Sequence, residues 1–234
     1  MPLRLICFDL DNTLWPVEPV IDRAEAETWR WLAARAPAVV AQIDVDGMRD
    51  RRNALFAARP DYIHNLTALR RDAMTGAIVD AGYGAAEARA LAQQALEEFL
   101  THRNAVTFFP GARELLEKLA GRYRLAALSN GNADLARIGV GHLFEVILSA
   151  EKVGRAKPDP TMFARALADA GVPARAAVHI GDHPEQDVRA ARDLDIGVIW
   201  ANPLCLPRPL ALPDDVHAFE HFHELENLLG HFDE

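Results

Sequence analysis

The chain has 234 residues, half of them hydrophobic and a quarter charged, which suits a packed core and argues against disorder. A formal net charge of −9 makes it a poor non-specific partner for nucleic acid or an anionic membrane, though a locally neutralised site can still bind a phosphorylated metabolite. Cys7 and Cys205 are its only cysteines, too few for a disulfide framework or a multi-cysteine zinc module.

The first apolar run, residues 3–9, places Leu5, Ile6, Cys7 and Phe8 in succession. A short run apolar on both faces predicts a buried strand of a parallel sheet, with Cys7 as a small core residue. Residues 16–106 then change character. Segments 23–35, 48–58, 65–80 and 85–102 each show amphipathic helical spacing, which predicts an inserted helical bundle between hinges at Pro16 and Pro19 and at residues 104–110. Trp29, Trp31, Phe56 and Tyr62 are expected to pack inside it. The pairs Arg51-Arg52 and Arg70-Arg71 are expected to lie on solvated faces.

Strand-like runs resume at residues 124–129, 144–149, 177–181 and 197–200, with a weaker sixth at 217–222. Helical segments fit between them: one opened by Pro110-Gly111 and closed near Gly121, one over 161–170 stopped by Gly171, and one over 186–194. This alternation predicts a parallel sheet with right-handed crossovers. The four prolines within residues 203–213 mark a loop. His217, His221, His223 and His231 lack a supporting carboxylate set and are expected on the surface. Only three of the 25 basic residues are lysines, and Lys118 and Lys152 read as surface residues. No run is long enough to span a bilayer and no secretory pattern is evident, so the expected home is the reducing cytoplasm.

Ligands of open parallel sheets bind beyond the carboxyl ends of the strands. Asp9, Asp11 and Thr13 follow the first run, and Ser129 and Asn130 end the second. Lys157 lies in a loop beyond the third, while Asp182 and Asp187 follow the fourth. Four segments thus bring four carboxylates, a hydroxyl, an amide and an ammonium to one rim. Like charges at ~4 Å repel by roughly 4 kcal/mol at an effective dielectric near 20, so the rim needs a cation or a proton. Oxygen donors without cysteine or histidine suit a hard ion such as Mg²⁺. Trp15, beside the first loop, is a candidate wall of the site.

FDLDNTLW, LSNG, a lysine before proline, and GD followed after four residues by Asp occur here in one order. Together they resemble the haloacid dehalogenase superfamily, over residues 3–15 and about 107–200. The helical insert is similar to the cap of subfamily I members, in the phosphatase branch. This resemblance implies an α/β fold: a Rossmann-like parallel-sheet core with helices on both faces (residues 1–15 and 107–234), plus an inserted α-helical bundle cap (16–106). It further implies Asp9 as nucleophile, forming an aspartyl-phosphate. Asp11 is implied as acid and base, its carbonyl also ligating Mg²⁺. Asp182 is implied as a direct metal ligand, and Asp187 as a ligand through water or as the holder of Lys157. Asp9 completes the metal set. Ser129, the backbone amide of Asn130, and Lys157 are implied to grip phosphoryl oxygens, with Thr13 supporting the first loop.

The chemistry is self-consistent. A carboxylate nucleophile divides one hard displacement into two easier ones, and fixed donors meet the charge spread over the phosphoryl oxygens. In an extended segment Asp9 and Asp11 share a side; a turn at Leu10 changes that. The expected activity is a Mg²⁺-dependent phosphatase acting on a small phosphorylated metabolite, by a monomer or homodimer. Residues 128–200 are similar to bacterial phosphatases of flavin biosynthesis, acting on a ribitylaminouracil phosphate or FMN. A phosphomutase using the same residues, or a non-catalytic phosphate-binding module, are the alternatives. Dehalogenation is disfavoured because dehalogenase members lack an acid at the position of Asp11.

Overall fold

A computed structural model describes residues 2–233. The chain divides into two compact units, residues 1–17 with 107–234, and residues 18–106. Among the described residues no helix is long and apolar enough to cross a membrane.

The first unit begins with β1 (Leu5–Phe8), all four residues buried. The second unit follows. Its helices are α1 (Glu18–Arg35), α2 (Pro37–Gln42), α3 (Val45–Ala58), α4 (Leu66–Asp80) and α5 (Ala85–Arg103). Four of these match the predicted amphipathic segments; α2, opened by Pro37, is an addition. Asp44 and Asn65 cap α3 and α4 by accepting from the backbone N–H groups of Gly47 and Ala68, both at 2.8 Å. Leu32, Val39, Ala73, Ile78, Ala88, Ala92 and Ala95 form the interior of this unit, with Trp29 and Trp31 packed against it.

One charged side chain is also inside. Glu25 is only 6% exposed and takes three arginines. Its Oε2 accepts from Arg49 at 2.5 Å, and its Oε1 from Arg52 at 2.6 Å and Arg70 at 3.0 Å. This corrects the expectation that Arg51-Arg52 and Arg70-Arg71 are solvated pairs. Neighbours on a helix point about 100° apart, so one member of each pair turns inward. Arg52 and Arg70 are 20% and 17% exposed, and Arg70 also lies over the Phe99 ring at 3.7 Å. Arg51 is half-buried, donating to Ala73 O and paired with Asp80, while Arg71 stays exposed beside Asp72.

The first unit resumes with α6 (Ala112–Ala120), β2 (Arg124–Ser129), α7 (Leu135–Ile138), β3 (Val146–Ser149), α8 (Ala150–Val153), α9 (Thr161–Ala170) and β4 (Ala177–Gly181). A π-helical stretch, Pro184–Arg189, runs into α10 (Ala190–Arg192). Then come β5 (Gly197–Ala201), β6 (His217–Phe219) and α11 (Phe222–Gly230). All six strands are parallel, in the order β3-β2-β1-β4-β5-β6. Chain direction across the sheet reverses between β1 and β4, the place where such sheets open a crevice. One sheet face buries Leu5, Cys7, Ala126, Leu128 and Ala177 with Met162, Phe163 and Ala166 of α9. α6 and α11 cover the other, with Leu115, Leu116, Leu119 and Leu225 turned inward. Gly171 ends α9 in a left-handed conformation (φ 60°), where any side chain adds strain. The four surface histidines stack in pairs, His217 on His231 and His221 on His223.

Burial pushes the Glu25 carboxyl up, but the hydrogen bond from Arg52, the charge on Arg70 and the bond from Arg49 outweigh it and hold it below its ordinary value. Its stabilising contribution is therefore complete above the ordinary glutamate pKa and is lost as pH falls through the depressed one. Glu25→Gln leaves three guanidinium groups facing each other. With partly exposed partners, a loss of about 2 kcal/mol is expected in urea unfolding at neutral pH, shrinking as pH falls into the acid range.

Candidate active site

The carboxyl ends of β1, β2 and β4 deliver the polar residues. Asp9 follows β1, and its backbone N–H still bonds Ile180 O at 2.9 Å, which extends the ladder by one residue and fixes its direction. The chain then turns. Leu10 O accepts from the N–H groups of Thr13 (3.3 Å) and Leu14 (2.8 Å), and Asn12 is left-handed with φ 60°. The segment after Asp9 is therefore not extended. Asp11 is held instead by Trp15, whose indole N–H donates to its Oδ1 at 2.8 Å. Trp15 is fully buried and edge-on to Phe108 at 5.3 Å, so it does not form an open wall: it orients Asp11. Thr13 is buried too, its hydroxyl without a hydrogen-bond partner among the described residues.

Lys157 lies at the centre. It is 1% exposed, and its Nζ donates to Asp9 Oδ1 at 2.8 Å and to Asp187 Oδ1 at 2.5 Å. Burial opposes its charge, but Asp187 and Asp9 outweigh that and raise its pKa above the ordinary lysine value. Its backbone is pinned as well. Asn130 Oδ1 accepts from Lys157 N at 2.7 Å, and Asn130 Nδ2 donates to Lys157 O at 2.9 Å and to Gln186 Oε1 at 2.8 Å. The Asn130 side chain is thus used in holding the lysine loop, a role the LSNG motif did not disclose. Ser129 Oγ accepts from Gly131 N at 2.9 Å, which leaves its hydroxyl proton to give.

Asp187 is buried and has three further anchors. His179 Nε2 meets Oδ1 at 2.9 Å, and the backbone N–H of His183 donates to Oδ2 at 3.0 Å. Burial pushes this carboxyl up, yet Lys157 and His179 reverse the shift and hold it well below the carboxylate range. The third anchor is steric: a Cβ at Gly181 would stand 2.4 Å from Asp187 Cγ, so only glycine admits the carboxylate there.

Asp182 and Asp9 behave differently. Asp182 is half-buried, and no side chain donates to its carboxylate among the described residues. Its backbone carbonyl is held by Trp200 Nε1 at 2.6 Å. Burial, then the charge on Asp187, push it up to about 7. Asp9 is also raised well above the ordinary value, first by burial, against the pull of Lys157 and with the push of Asp187 and Asp182. Oxygens of Asp9, Asp182 and Asp187 lie within 4.8 Å of one another. When all three are ionised, three carboxylates against one ammonium leave an excess of two negative charges, which a divalent cation would balance. The all-oxygen donor set fits a hard ion. Cys7, below Asp9 on the same strand face, has its thiol pushed up to about 12 by burial and is not a nucleophile.

Comparison with known proteins places this geometry. The family model described as haloacid dehalogenase-like hydrolase matches residues 3–195. The chain is 33% identical to the 5-amino-6-(5-phospho-D-ribitylamino)uracil phosphatase YigB of Escherichia coli (strain K12), over 86% of this chain and 84% of that one. It is 36% identical to the phosphoserine phosphatase of Thermus thermophilus over 59% of this chain and 57% of the other. The crystal structure of a 2-haloacid dehalogenase from Pseudomonas syringae pv. Tomato DC3000 superposes with a TM-score of 0.90 at 38% identity, covering 98% of this chain and 99% of that one. An ordered set of carboxylates around a buried lysine at the ends of β1, β2 and β4, matched by the family model across most of its length, makes this chain a member of the haloacid dehalogenase-like hydrolase family.

Proposed function

We propose that the chain is a Mg²⁺-dependent phosphatase that takes the phosphoryl group of a small phosphorylated metabolite onto Asp9 and passes it to water. The observation that carries this reading is the shared ammonium. Lys157 occupies Asp9 Oδ1 and leaves Oδ2 without a hydrogen bond among the described residues, as an oxygen available to attack phosphorus. In the first step Asp9 Oδ2 bonds to phosphorus as the ester P–O bond breaks, and Asp11 gives its proton to the leaving alkoxide. In the second, Asp11 takes a proton from water, whose oxygen attacks phosphorus and releases the Asp9 carboxylate and inorganic phosphate. Lys157, the Ser129 hydroxyl and the Asn130 backbone N–H are assigned to the phosphoryl oxygens, with Thr13 packed beneath the first loop. Mg²⁺, held by Asp9, Asp182 and the Asp11 carbonyl, with Asp187 beside them, would offset the repulsion between carboxylate and phosphate and polarise the phosphoryl group.

The Escherichia coli relative acts, by its name, on a phosphoribitylaminouracil. That phosphate is the first substrate to test, followed by FMN. A second reading comes from the haloacid dehalogenase whose structure superposes so closely. Halide leaves without needing a proton, whereas an alkoxide needs one, and Asp11 is an acid positioned by Trp15 to supply it. The proposal therefore expects turnover of phosphate esters and none of 2-chloropropionate. Free phosphate as the product separates hydrolysis from a mutase, and no turnover of any ester favours a binding module.

Asp9→Asn should retain the fold and lose roughly 10⁴-fold or more in kcat, and beryllium fluoride should trap on the wild-type Asp9 side chain. A comparable rate in the variant, or an adduct elsewhere, removes Asp9 from its role. Because Asp182 holds a proton up to about pH 7 in the cation-free protein, Mg²⁺ must compete with that proton below this pH. Calorimetric Mg²⁺ affinity should fall by up to about tenfold per pH unit below 7 and level off above it. A flat profile from pH 8 to 6 means that no proton competes with Mg²⁺ in that range, and an unchanged Mg²⁺ titration in Asp182→Ala removes Asp182 from the ligand set.

A further inference from the structure

We infer that His179 is a positioning residue, which acts through Asp187 to set where the Lys157 ammonium meets Asp9; the inference rests on the phosphoryl-transfer reading above. β4 reads AVHIG, and every one of its residues is buried. His179 pairs in register with Cys7 and is 1% exposed, on the apolar side of the sheet, edge-on to Phe163 at 4.9 Å. A valine or isoleucine is the ordinary occupant of such a position, so an imidazole there calls for a polar reason. The one side-chain hydrogen bond shown for it runs from Nε2 to Asp187 Oδ1, at 2.9 Å. Asp187 already takes the Lys157 ammonium and the His183 backbone N–H, the partners of an ionised carboxylate, which only accepts, so Nε2 is assigned as the donor.

The consequence is mechanical. Lysine has four rotatable side-chain bonds, and the head of Lys157 is located only by the two carboxylates it bridges. Asp187 comes from an irregular π-helical stretch, whereas His179 sits on β4, paired on both sides by β1 and β5. Asp187 Oδ1 receives Lys157 and His179 together, and Oδ2 receives the His183 backbone. With the imidazole removed, Oδ1 keeps only its bond to Lys157, and the carboxylate, still held at Oδ2 by the His183 N–H, can pivot about that point and draw the ammonium with it. His179 is thus the rigid end of a line of hydrogen bonds that runs from the sheet through Asp187 and Lys157 to Asp9.

The test uses the full chain with Mg²⁺ and p-nitrophenyl phosphate. His179→Leu, of similar volume and without a donor, should lower kcat by about 10- to 100-fold with KM little changed. His179→Gln, whose amide N–H reaches the position of Nε2, should restore most of that loss. In an Asp187→Asn background the leucine substitution should cost nothing further, because the route runs through that carboxylate. Wild-type kcat in His179→Leu, equal losses with Leu and Gln, or an undiminished loss in the Asp187→Asn background overturns the inference. If His179→Leu does not fold, His179→Asn, with an amide too short to reach, takes its place in the same comparison. A wild-type chain that hydrolyses no phosphate ester defeats the phosphoryl-transfer reading instead. The inference is then judged on the crystal structure of the same variant: Lys157 Nζ moved out of bonding distance of Asp9 supports it, and an unmoved Lys157 overturns it.

Discussion

A buried ammonium must be compensated, and the compensation of Lys157 organises the site. Its head group lies where β1 and β4 end, with Asp9 on one side and Asp187 on the other. Either carboxylate alone would be repelled by its neighbours in so poorly solvated a place. Sharing one cation lets both stay close. The lysine itself is gripped at both ends, by the two carboxylates at the head and by the paired Asn130 amide at the backbone. An arginine could carry the charge, but its planar fork does not fit a point shared by two oxygens from different segments, the loop after β1 and the π-helical stretch after β4. In a chain so rich in arginine, lysine at this position has a geometric reason.

The same electrostatics divides labour among carboxylates of similar sequence context. Asp187 has its charge paid for by donors on every side and is held low, which suits an anchor rather than a proton carrier. Asp182 has no side-chain donor among the described residues and is pushed up to about 7, first by burial and then by the charge on Asp187. Asp11 lies outside the cluster of three and is oriented by an indole. The three environments arise from residues five positions apart in the GD segment and two apart in the first loop. The turn at Leu10 and the close approach at Gly181 create the differences.

Much of this was legible in the sequence because a parallel sheet leaves a plain mark. Its strands are apolar on both faces, and its ligand groups follow their carboxyl ends, so residues 124–129 and 177–181 coincide with β2 and β4. The weak sixth run shortened to β6 because Phe222, counted as strand, opens α11. What stayed hidden depends on contacts between distant segments. His179 looked like part of an apolar strand, since its partner lies eight residues on and around a turn. Trp15 looked like a ligand wall, because nothing local shows that the loop folds its indole back onto Asp11. Arg52 and Arg70 looked solvated because the carboxylate that draws them in, Glu25, belongs to another helix.

That last case shows how the two units solve the same problem by different means. In the helical unit one buried carboxylate gathers three guanidinium groups, and the partly exposed partners complete their hydration in solvent. Such a cluster carries an excess of positive charge, met in part where Arg49 also pairs with Asp22 and Asp46 at the surface. At the sheet edge the balance runs the other way, with an excess of carboxylate that the chain itself does not cancel. A fold that carries this repulsion without a bound cation is less stable than one with an apolar rim. The binding free energy of a divalent ion there would be recovered as stability of the loaded state. On the phosphatase reading proposed above, the residues that make the cation-free site unfavourable would be the ones that bring an anionic nucleophile and an anionic ester within bonding distance once the excess charge is neutralised.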